Sequence, residues 1–184
     1  MKLKKLIVSD LDGTLFFIDE AVRKASMNVI GESLDYAGVR SLEDKALKSE
    51  IYDLYQSRYK SDLEPNQNLI NFFKKCSNDY EIIVLSAREI TLQKDTEDLL
   101  KRHKVPYNKV VLRSRSDLSI DDEVWKSEFF KNKINNYEEI LFYEDKRENL
   151  KLVASNFKNV DKIKYFLVSG SKLEELSGKE LSKS

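Results

Sequence analysis

The sequence predicts an α/β protein: a three-layer, doubly wound (Rossmann-like) parallel sheet of about five strands with a small helical cap insert. Two features of the 184-residue chain lead to this prediction. Short apolar runs bounded by polar residues recur along it, as in strands buried on both faces. Segments with the 3.6-residue periodicity of helices lie between most of these runs. Strands that alternate with helices form a parallel sheet with helices on both of its faces.

Each element can be assigned from its own stretch of sequence. The apolar runs that predict strands are residues 3–8, 81–85, 109–112, 139–143 and 162–168. The periodic segments that predict helices are residues 69–76, 91–103, 122–137 and 146–157. Pro65 precedes the first of these helices, where its fixed φ angle suits a helix start.

Residues 17–64 interrupt the alternation of strand and helix. No strand-like run occurs in them. Two helix-like stretches, 20–30 and 42–59, flank a turn-prone patch around Gly31 and Gly38. This pattern predicts a helical insert that follows the first strand.

The length of the chain sets the domain organisation. It allows one buried core with an appendage but is short for two full domains. We therefore predict an α/β core from residues 1–16 and 65–168, and a cap-like insert from residues 17–64. Residues 169–184 are rich in Ser, Gly, Lys and Glu, and this composition predicts a frayed C-terminal tail or a short loose helix.

Composition excludes several classes of function. The 32 basic and 32 acidic side chains cancel, so attraction to an anion must come from a local cluster of charge. Cys76 is the only cysteine, which excludes an internal disulfide or a cysteine-based zinc site. His103 is the only histidine and lies in a basic run typical of solvated surface, which disfavours a Ser-His-Asp mechanism.

The N-terminal residues predict a cytoplasmic protein without a membrane segment. Met1 to Lys5 is basic, like the start of a signal peptide. The apolar run that follows, residues 6–8, is too short for a signal core or a membrane span.

The segment from Asp10 to Thr14 carries the strongest chemical signal. It reads Asp-Leu-Asp-Gly-Thr directly after the first predicted strand, and ligands of open parallel sheets bind at that edge. Two carboxylates two residues apart in an extended segment point the same way, and Gly13 lets the chain turn sharply behind them. Such a pair can hold a hard cation, present a nucleophile and supply a proton. A turn that happens to contain two aspartates is the alternative.

These residues resemble the first motif of the haloacid dehalogenase superfamily, and three further stretches match its motifs in order. Residues 82–88 look like the second motif, a strand that ends in a phosphate-binding Ser or Thr, here Ser86. Lys126 suits the third motif, and residues 141–145 look like the fourth, a strand that ends in an acidic pair. The resemblance runs from about Leu6 to Phe157.

The resemblance implies a role for each matched residue. Asp10 would attack phosphorus and form an aspartyl-phosphate, and Lys126 would neutralise charge on the nucleophile and the phosphoryl group. Mg²⁺ would be held by acidic residues of the first and fourth motifs, namely Asp10, Asp12 through its backbone carbonyl, Asp145 and, with its contact left open, Glu144. Phosphoryl oxygens would be bound by residues of the first two motifs, namely Thr14, Ser86, Ala87 and Arg88.

Asp12 indicates the branch of the superfamily. As a general acid it would protonate the leaving alkoxide and later activate water. The superfamily's dehalogenases lack this aspartate, and its transport ATPases carry threonine there, so the resemblance implies phosphatase chemistry. Glu144 departs from the usual fourth motif, which begins with Asp or Gly.

A closer resemblance is to the phosphatase domain of polynucleotide kinase-phosphatases. Arg88, Arg113, Asp122 and Lys126 match that group in order. With Arg115, the first two would form a local cationic patch for substrate phosphates. The helical insert departs from that group, where the connection is usually much shorter, and inserts that cap such sites commonly favour small substrates.

Three functions remain open at this point. The first is an Mg²⁺-dependent phosphomonoesterase that acts on a nucleotide or a nucleic-acid 3′ end. The second is a phosphatase for small metabolites such as sugar phosphates, with the insert as a lid. The third is a non-catalytic binding module, which would have no need for both aspartates. The sequence does not predict the oligomeric state.

Overall fold

The computed structural model describes residues 4–183 of the chain. Its strands are β1 Lys4–Ser9, β2 Phe16–Phe17, β3 Glu64–Pro65, β4 Tyr80–Glu89, β5 Lys109–Arg113, β6 Tyr137–Glu144, β7 Ile163–Ser169 and β8 Lys172–Leu176. Its α-helices are α1 Asp19–Ile30, α2 Tyr36–Ser41, α3 Lys45–Ser57, α4 Gln67–Cys76, α5 Gln93–Arg102, α6 Asp122–Lys133, α7 Arg147–Asn156 and α8 Gly178–Lys183. Among residues 4–183, no helix is long and apolar enough to cross a membrane.

Two compact units make up the chain. The larger contains the residues up to Leu15 and from Asn66 onward, and the smaller runs from Phe16 to Pro65. In the smaller unit, α1 and α3 pack together, and β2 pairs antiparallel with β3. The helix α2, which the sequence pattern did not predict, begins after Asp35, whose side chain accepts a hydrogen bond from the Gly38 N–H at 2.8 Å.

The larger unit is built on one six-stranded sheet. Its strand order is β5-β4-β1-β6-β7-β8. The first five strands in this order are parallel, and β8 pairs antiparallel with β7. The chain first builds outward from β1 to β4 and β5, then returns to add β6 and β7 on the other side. Strand order therefore reverses at β1, and the carboxyl end of β1 is where such sheets bind ligands. The predicted doubly wound fold is confirmed, with one strand more than expected.

Helices cover the sheet on both faces. Leu6 and Val8 of β1 pack in one apolar cluster with Phe130 of α6 and Leu150 of α7. On the opposite face, the ring of Phe73 of α4 lies 5.4 Å from that of Tyr143, edge to face. Successive residues of a strand point to opposite faces, which explains why both layers can bury apolar side chains from the same strand.

Several sequence predictions need correction. The helix predicted over 122–137 ends at Lys133, and β6 already begins at Tyr137. The predicted strand over 81–85 continues to Glu89, because the pairing of β4 with β5 shifts register between Ser86 and Glu89 and keeps the backbone extended. The tail, which was expected to be frayed or to form a short loose helix, contains the strand β8 as well as the short helix α8. Gly170, with φ +57°, allows the two-residue turn that returns the chain onto β7. The first predicted strand included Leu3, which lies outside the described residues.

Candidate active site

Asp10 lies just beyond the carboxyl end of β1, between the ends of β4 and β6. Its backbone N–H donates to the carbonyl of Tyr143 at 2.9 Å, so the pairing with β6 continues one residue past the strand. The Asp10 side chain is buried. The pairing with β6 therefore fixes the backbone of Asp10 at the point where strand order reverses.

Lys126 forms ion pairs with two acidic side chains at the carboxyl edge of the sheet. It lies in α6, is almost fully buried, and its Nζ donates to Asp10 Oδ1 and to Glu144 Oε2, each at 2.6 Å. Burial alone would lower the pKa of Lys126, but the charges of Asp10 and Glu144 raise it above its usual value. The lysine therefore stays protonated as a fixed positive charge beside Asp10.

Burial raises the pKa of Asp10 to about 7, although the Lys126 ammonium opposes the rise and the Glu144 carboxylate adds to it. For Glu144, burial also acts to raise the pKa, but the Lys126 charge and hydrogen bonds hold it below the usual value. Lys126 thus serves two carboxylates with one positive charge. The cluster retains excess negative charge when both are ionised.

Asp145 adds a third carboxylate to this cluster. Burial, Glu144 and Asp10 all raise its pKa well above the usual value. Its Oδ1 atom is buried and has no hydrogen-bond partner among the described residues. One carboxylate oxygen each from Asp10, Glu144 and Asp145 lie within 4.8 Å of one another.

These oxygens fit a hard divalent cation. Mg²⁺ prefers carboxylate oxygens, and a cation would compensate both the excess negative charge and the unpaired oxygen of Asp145. Both oxygens of Glu144 are already engaged, Oε2 by Lys126 and Oε1 by the N–H of Lys146 at 3.1 Å. Asp10 and Asp145 are therefore better placed than Glu144 to bind a metal directly.

Gly13 makes room for the Asp145 carboxylate. A Cβ atom at position 13 would lie 2.4 Å from Asp145 Oδ2, and Gly13 has a φ of +88°. A side chain here would meet both a steric and a conformational barrier. Position 13 therefore requires glycine, because the Asp145 carboxylate occupies the space that a side chain would need.

Asp12 is held by Arg88. Arg88 Nε donates to Asp12 Oδ2 at 2.7 Å, and Nη2 donates to Oδ1 at 2.6 Å. The Arg88 side chain is 2% exposed and that of Asp12 14%. A two-point contact of this kind fixes the plane of the carboxylate as well as its position. Sequence reasoning did not find this pairing.

The remaining residues of the first two motifs are also at this edge. Ser86 is buried near the end of β4, and its Oγ accepts from the Arg88 N–H at 3.3 Å. Ala87 is half-buried. Thr14 is buried, its Oγ1 has no hydrogen-bond partner among the described residues, and its carbonyl accepts from Asn66 Nδ2 at 3.1 Å.

Arg113 and Arg115 have different environments. Arg113 is buried and donates to Asp122 Oδ1 at 2.6 Å and to the carbonyls of Asp117 and Ile120. The Arg115 side chain is 80% exposed and contacts Glu89 at 3.2 Å. Arg113 thus ties the loop after β5 to α6. Contact with substrate by either arginine stays a prediction, and exposure favours Arg115.

Asp122 also lies in this region. It was named from the sequence only as part of the resemblance to polynucleotide kinase-phosphatases and was given no role. It lies in the first turn of α6 and accepts from Arg113 and, through Oδ2, from Lys146 Nζ at 3.0 Å. Burial opposes the shift, but Lys146 and the neighbouring cations lower its pKa. Asp122 thereby connects the start of α6 with the residue that follows Asp145. No spacing in the sequence reveals this bridge.

The doubly wound sheet, with Asp10, Lys126 and Asp145 at its carboxyl edge, defines a haloacid dehalogenase-like protein. Within that superfamily, the chain belongs to the family described as the polynucleotide kinase PNKP phosphatase domain, whose model matches residues 46–155. The match includes Ser86, Lys126 and Asp145. It does not reach Asp10 or Asp12. The contacts of Asp10 with Lys126 and of Asp12 with Arg88 place these two residues in the site independently of the family match.

Solved structures share the fold. A chain of the Pnkp1/Rnl/Hen1 complex is similar over 91% of this chain, with 20% identity and a TM-score of 0.58. A haloacid dehalogenase-like hydrolase from Streptococcus pneumoniae is similar over 82% of this chain and 80% of its own length, with 16% identity and a TM-score of 0.56. A further hydrolase from Streptococcus pneumoniae TIGR4 matches over 90% and 92%, with 13% identity and a TM-score of 0.52.

The chain spans 46% of the length of its match in the Pnkp1/Rnl/Hen1 complex. No curated protein matches the sequence.

Proposed function

We propose that the chain is an Mg²⁺-dependent phosphomonoesterase that acts through an aspartyl-phosphate on Asp10, with a nucleic-acid 3′-phosphate end or a nucleotide as substrate. The observation that carries this proposal is the cluster of Asp10, Lys126 and Asp145. It combines a buried carboxylate, a cation bonded to it at 2.6 Å, and an unpaired acidic oxygen. The chain's membership of a phosphatase-domain family supports the same chemistry.

In the first half-reaction, a carboxylate oxygen of Asp10 forms a bond to phosphorus and the bond from phosphorus to the leaving oxygen breaks. Asp12, whose two oxygens both accept from Arg88 in this structure, must first take up a proton, which it then transfers to that leaving oxygen. Lys126 offsets negative charge on the Asp10 carboxylate and on the phosphoryl group. Mg²⁺, held by Asp10, Asp145 and the Asp12 carbonyl, would supply the additional positive charge that lets two anions approach.

In the second half-reaction, Asp12 takes a proton from water and the resulting hydroxide attacks phosphorus. The bond to Asp10 breaks and inorganic phosphate leaves. Ser86 and the backbone after Asp10 would bind the phosphoryl oxygens throughout. Thr14 Oγ1, buried and without a partner among residues 4–183, is a further donor of the right chemistry.

Two observations support a nucleic-acid end as substrate. The matched family is that of a polynucleotide kinase phosphatase domain. Arg115 offers an exposed guanidinium for a phosphate beside the scissile one. The alternative substrate, a small phosphorylated metabolite, is supported by the helical unit from Phe16 to Pro65, since inserts at this point of the fold commonly act as caps.

The test is phosphate release from a panel of matched substrates. It should contain a 3′-phosphorylated oligonucleotide, its 5′-phosphorylated isomer, nucleoside monophosphates and sugar phosphates, each with Mg²⁺ and with chelator. We expect kcat/KM for the 3′-phosphorylated oligonucleotide to exceed that for sugar phosphates by at least about tenfold. Preference for a sugar phosphate would establish the alternative, and no turnover of any substrate would favour a non-catalytic module.

The covalent step has its own measurement. A ³²P-labelled substrate quenched in acid should leave label on the wild-type protein. The Asp10→Asn variant should carry no label and retain less than about a hundredth of wild-type turnover, because its amide is a poor nucleophile. Label on Asp10→Asn would remove Asp10 from the nucleophile role.

A further inference from the structure

The sheet of the larger unit ends at an exposed edge strand. β8 is paired only with β7, at the end of the strand order. Lys172, Leu173, Glu174 and Glu175 are all exposed, and Leu173 is the most exposed large apolar side chain among residues 4–183, at 52%. An edge with this exposure can pair with another strand.

The hairpin register decides which backbone groups are available. Ser169 pairs with Lys172 across the two-residue turn, and Leu167 pairs with Glu174. In such a hairpin the residues that flank the turn form a hydrogen-bonded pair, and the pattern then alternates along the ladder. The N–H and C=O groups of Lys172 and Glu174 therefore point to β7, and those of Leu173 and Glu175 point away from it.

The side chains of β8 divide between the two faces of the sheet. Leu176 is buried in the cluster that contains Leu150 and Leu181, so Lys172 and Glu174 share that face. Leu173 and Glu175 share the other face. There they border a groove of about 380 Å³, whose other walls include Phe72 and Phe166.

Among the exposed residues of β8, charge favours one self-pairing. In an antiparallel pair related by a two-fold axis perpendicular to the sheet, the axis lies midway between one residue and the same residue of the second copy, and facing residues share a face. An axis at Lys172, Glu174 or Glu175 places two like charges opposite each other, which is unfavourable. An axis at Leu173 places leucine opposite leucine and each Lys172 opposite the other copy's Glu174.

The same register satisfies the backbone. Leu173 would exchange hydrogen bonds with Leu173 of the second copy, through groups that point away from β7. Charged side chains on an edge strand ordinarily guard against pairing. In this register they attract, because Lys172 and Glu174 alternate about a neutral centre.

We propose that β8 is a homodimerisation edge, where two copies of the chain join antiparallel about Leu173 into one continuous twelve-stranded sheet. Because the strands of the two copies run in opposite directions, the two candidate active sites lie at opposite edges of that sheet. Dimer formation should therefore leave turnover of a small substrate unchanged. One strand pair is a small interface, so the association should be weak.

A charge-swap series tests the register. Sedimentation velocity should follow the full chain from about 10 μM to about 1 mM, the range in which weak complexes dissociate. Lys172→Glu and Glu174→Lys should each weaken dimerisation at least about tenfold, and the double swap should restore it, because like charges then become opposite charges again. Glu128→Lys and Lys131→Glu, in an exposed pair on α6, change the charge equally and should leave association unaltered.

Cysteine crosslinking gives a second, independent measurement. In a Cys76→Ser background, Leu173→Cys should form a disulfide dimer, since facing Cα atoms of a hydrogen-bonded pair lie about 5.5 Å apart. Glu175→Cys should not, because its two copies would lie about 14 Å apart. A chain that sediments as a monomer throughout, or that crosslinks equally at both positions, would overturn the proposal.

Discussion

Arg88 holds Asp12 by two parallel hydrogen bonds, from Nε and Nη2 to the two carboxylate oxygens, at 2.7 and 2.6 Å. The contact links the end of β4 to the turn after β1, 76 residues apart. It fixes the direction in which the Asp12 carboxylate presents its oxygens. A general acid needs such orientation toward the leaving oxygen, whereas a residue that only turns the chain does not.

The first prediction concerns this pair. Arg88→Lys retains the charge but cannot donate in the same two-point geometry. Turnover of an alkyl phosphate should fall about 10- to 100-fold, because the proton donor loses its orientation. Turnover of p-nitrophenyl phosphate should fall much less, since its leaving group needs little protonation. Equal losses of kcat would mean that Arg88 acts instead on the phosphoryl group.

The second prediction concerns Lys126. Lys126→Met leaves Asp10 and Glu144 buried without their shared cation, so the free energy of unfolding should fall by about 3–5 kcal/mol. Adding Glu144→Gln should recover part of that loss by removing one buried charge, although activity stays lost. Urea unfolding measures both effects. Lys131→Met, at an exposed position of the same helix, should change stability by less than about 0.5 kcal/mol.

The sequence predicted which residues lie at the active site but not how their side chains pair. The strand-helix alternation predicted the sheet, and the order of the motifs predicted that Lys126 and Asp145 would lie near Asp10. Apolar periodicity is enough to predict the sheet, because it follows directly from burial on both faces. The placement of Lys126 and Asp145 came from the resemblance to the superfamily's motifs. The partners of the arginines were beyond reach, since a salt bridge such as Arg88–Asp12 depends on side-chain directions that no local pattern records.

The strand β8 was not predicted from the sequence. Its residues are mostly charged, and only its last side chain, Leu176, is buried among those of the strand. A strand on the edge of a sheet needs no apolar run, so periodicity gave no signal there. The extension of β4 was missed for a related reason. Residues 86–89 contain no apolar run but remain extended through pairing with β5.

The third prediction separates the two acids of the fourth motif. Asp145→Asn should raise the Mg²⁺ concentration for half-maximal activity about 10- to 100-fold. It should also abolish the rise in melting temperature that Mg²⁺ gives the wild type. Glu144→Gln should alter the Mg²⁺ requirement less and lower stability more, since Glu144 is engaged by Lys126 and the Lys146 N–H. The reverse ranking would make Glu144 the direct ligand.

The fourth prediction concerns the substrate. Arg115→Glu should spare p-nitrophenyl phosphate and reduce kcat/KM for a 3′-phosphorylated oligonucleotide. It should flatten the log–log salt dependence of oligonucleotide binding by about one unit. Arg102→Glu, an exposed reversal at the end of α5, serves as the matched control. Arg113→Ala should instead reduce stability and affect both substrates alike, because its guanidinium holds Asp122 and two carbonyls.

The last prediction tests the fit between the first and fourth motifs. Gly13 and Gly170 both have positive φ, +88° and +57°, so alanine at either position should cost about 1–2 kcal/mol of backbone strain. At Gly170 nothing lies within 4 Å of the added Cβ, whereas at Gly13 the Cβ would lie 2.4 Å from Asp145 Oδ2. Gly13→Ala must therefore also displace the Asp145 carboxylate.

Gly13→Ala should lower the free energy of unfolding more than Gly170→Ala does and raise the Mg²⁺ requirement, while Gly170→Ala leaves that requirement unchanged. Urea unfolding and Mg²⁺ titrations of phosphate release measure the two effects separately. If both variants lost the same stability and kept wild-type Mg²⁺ dependence, the close approach of Gly13 to Asp145 would have no part in metal binding. The glycine would then be required for its backbone conformation alone.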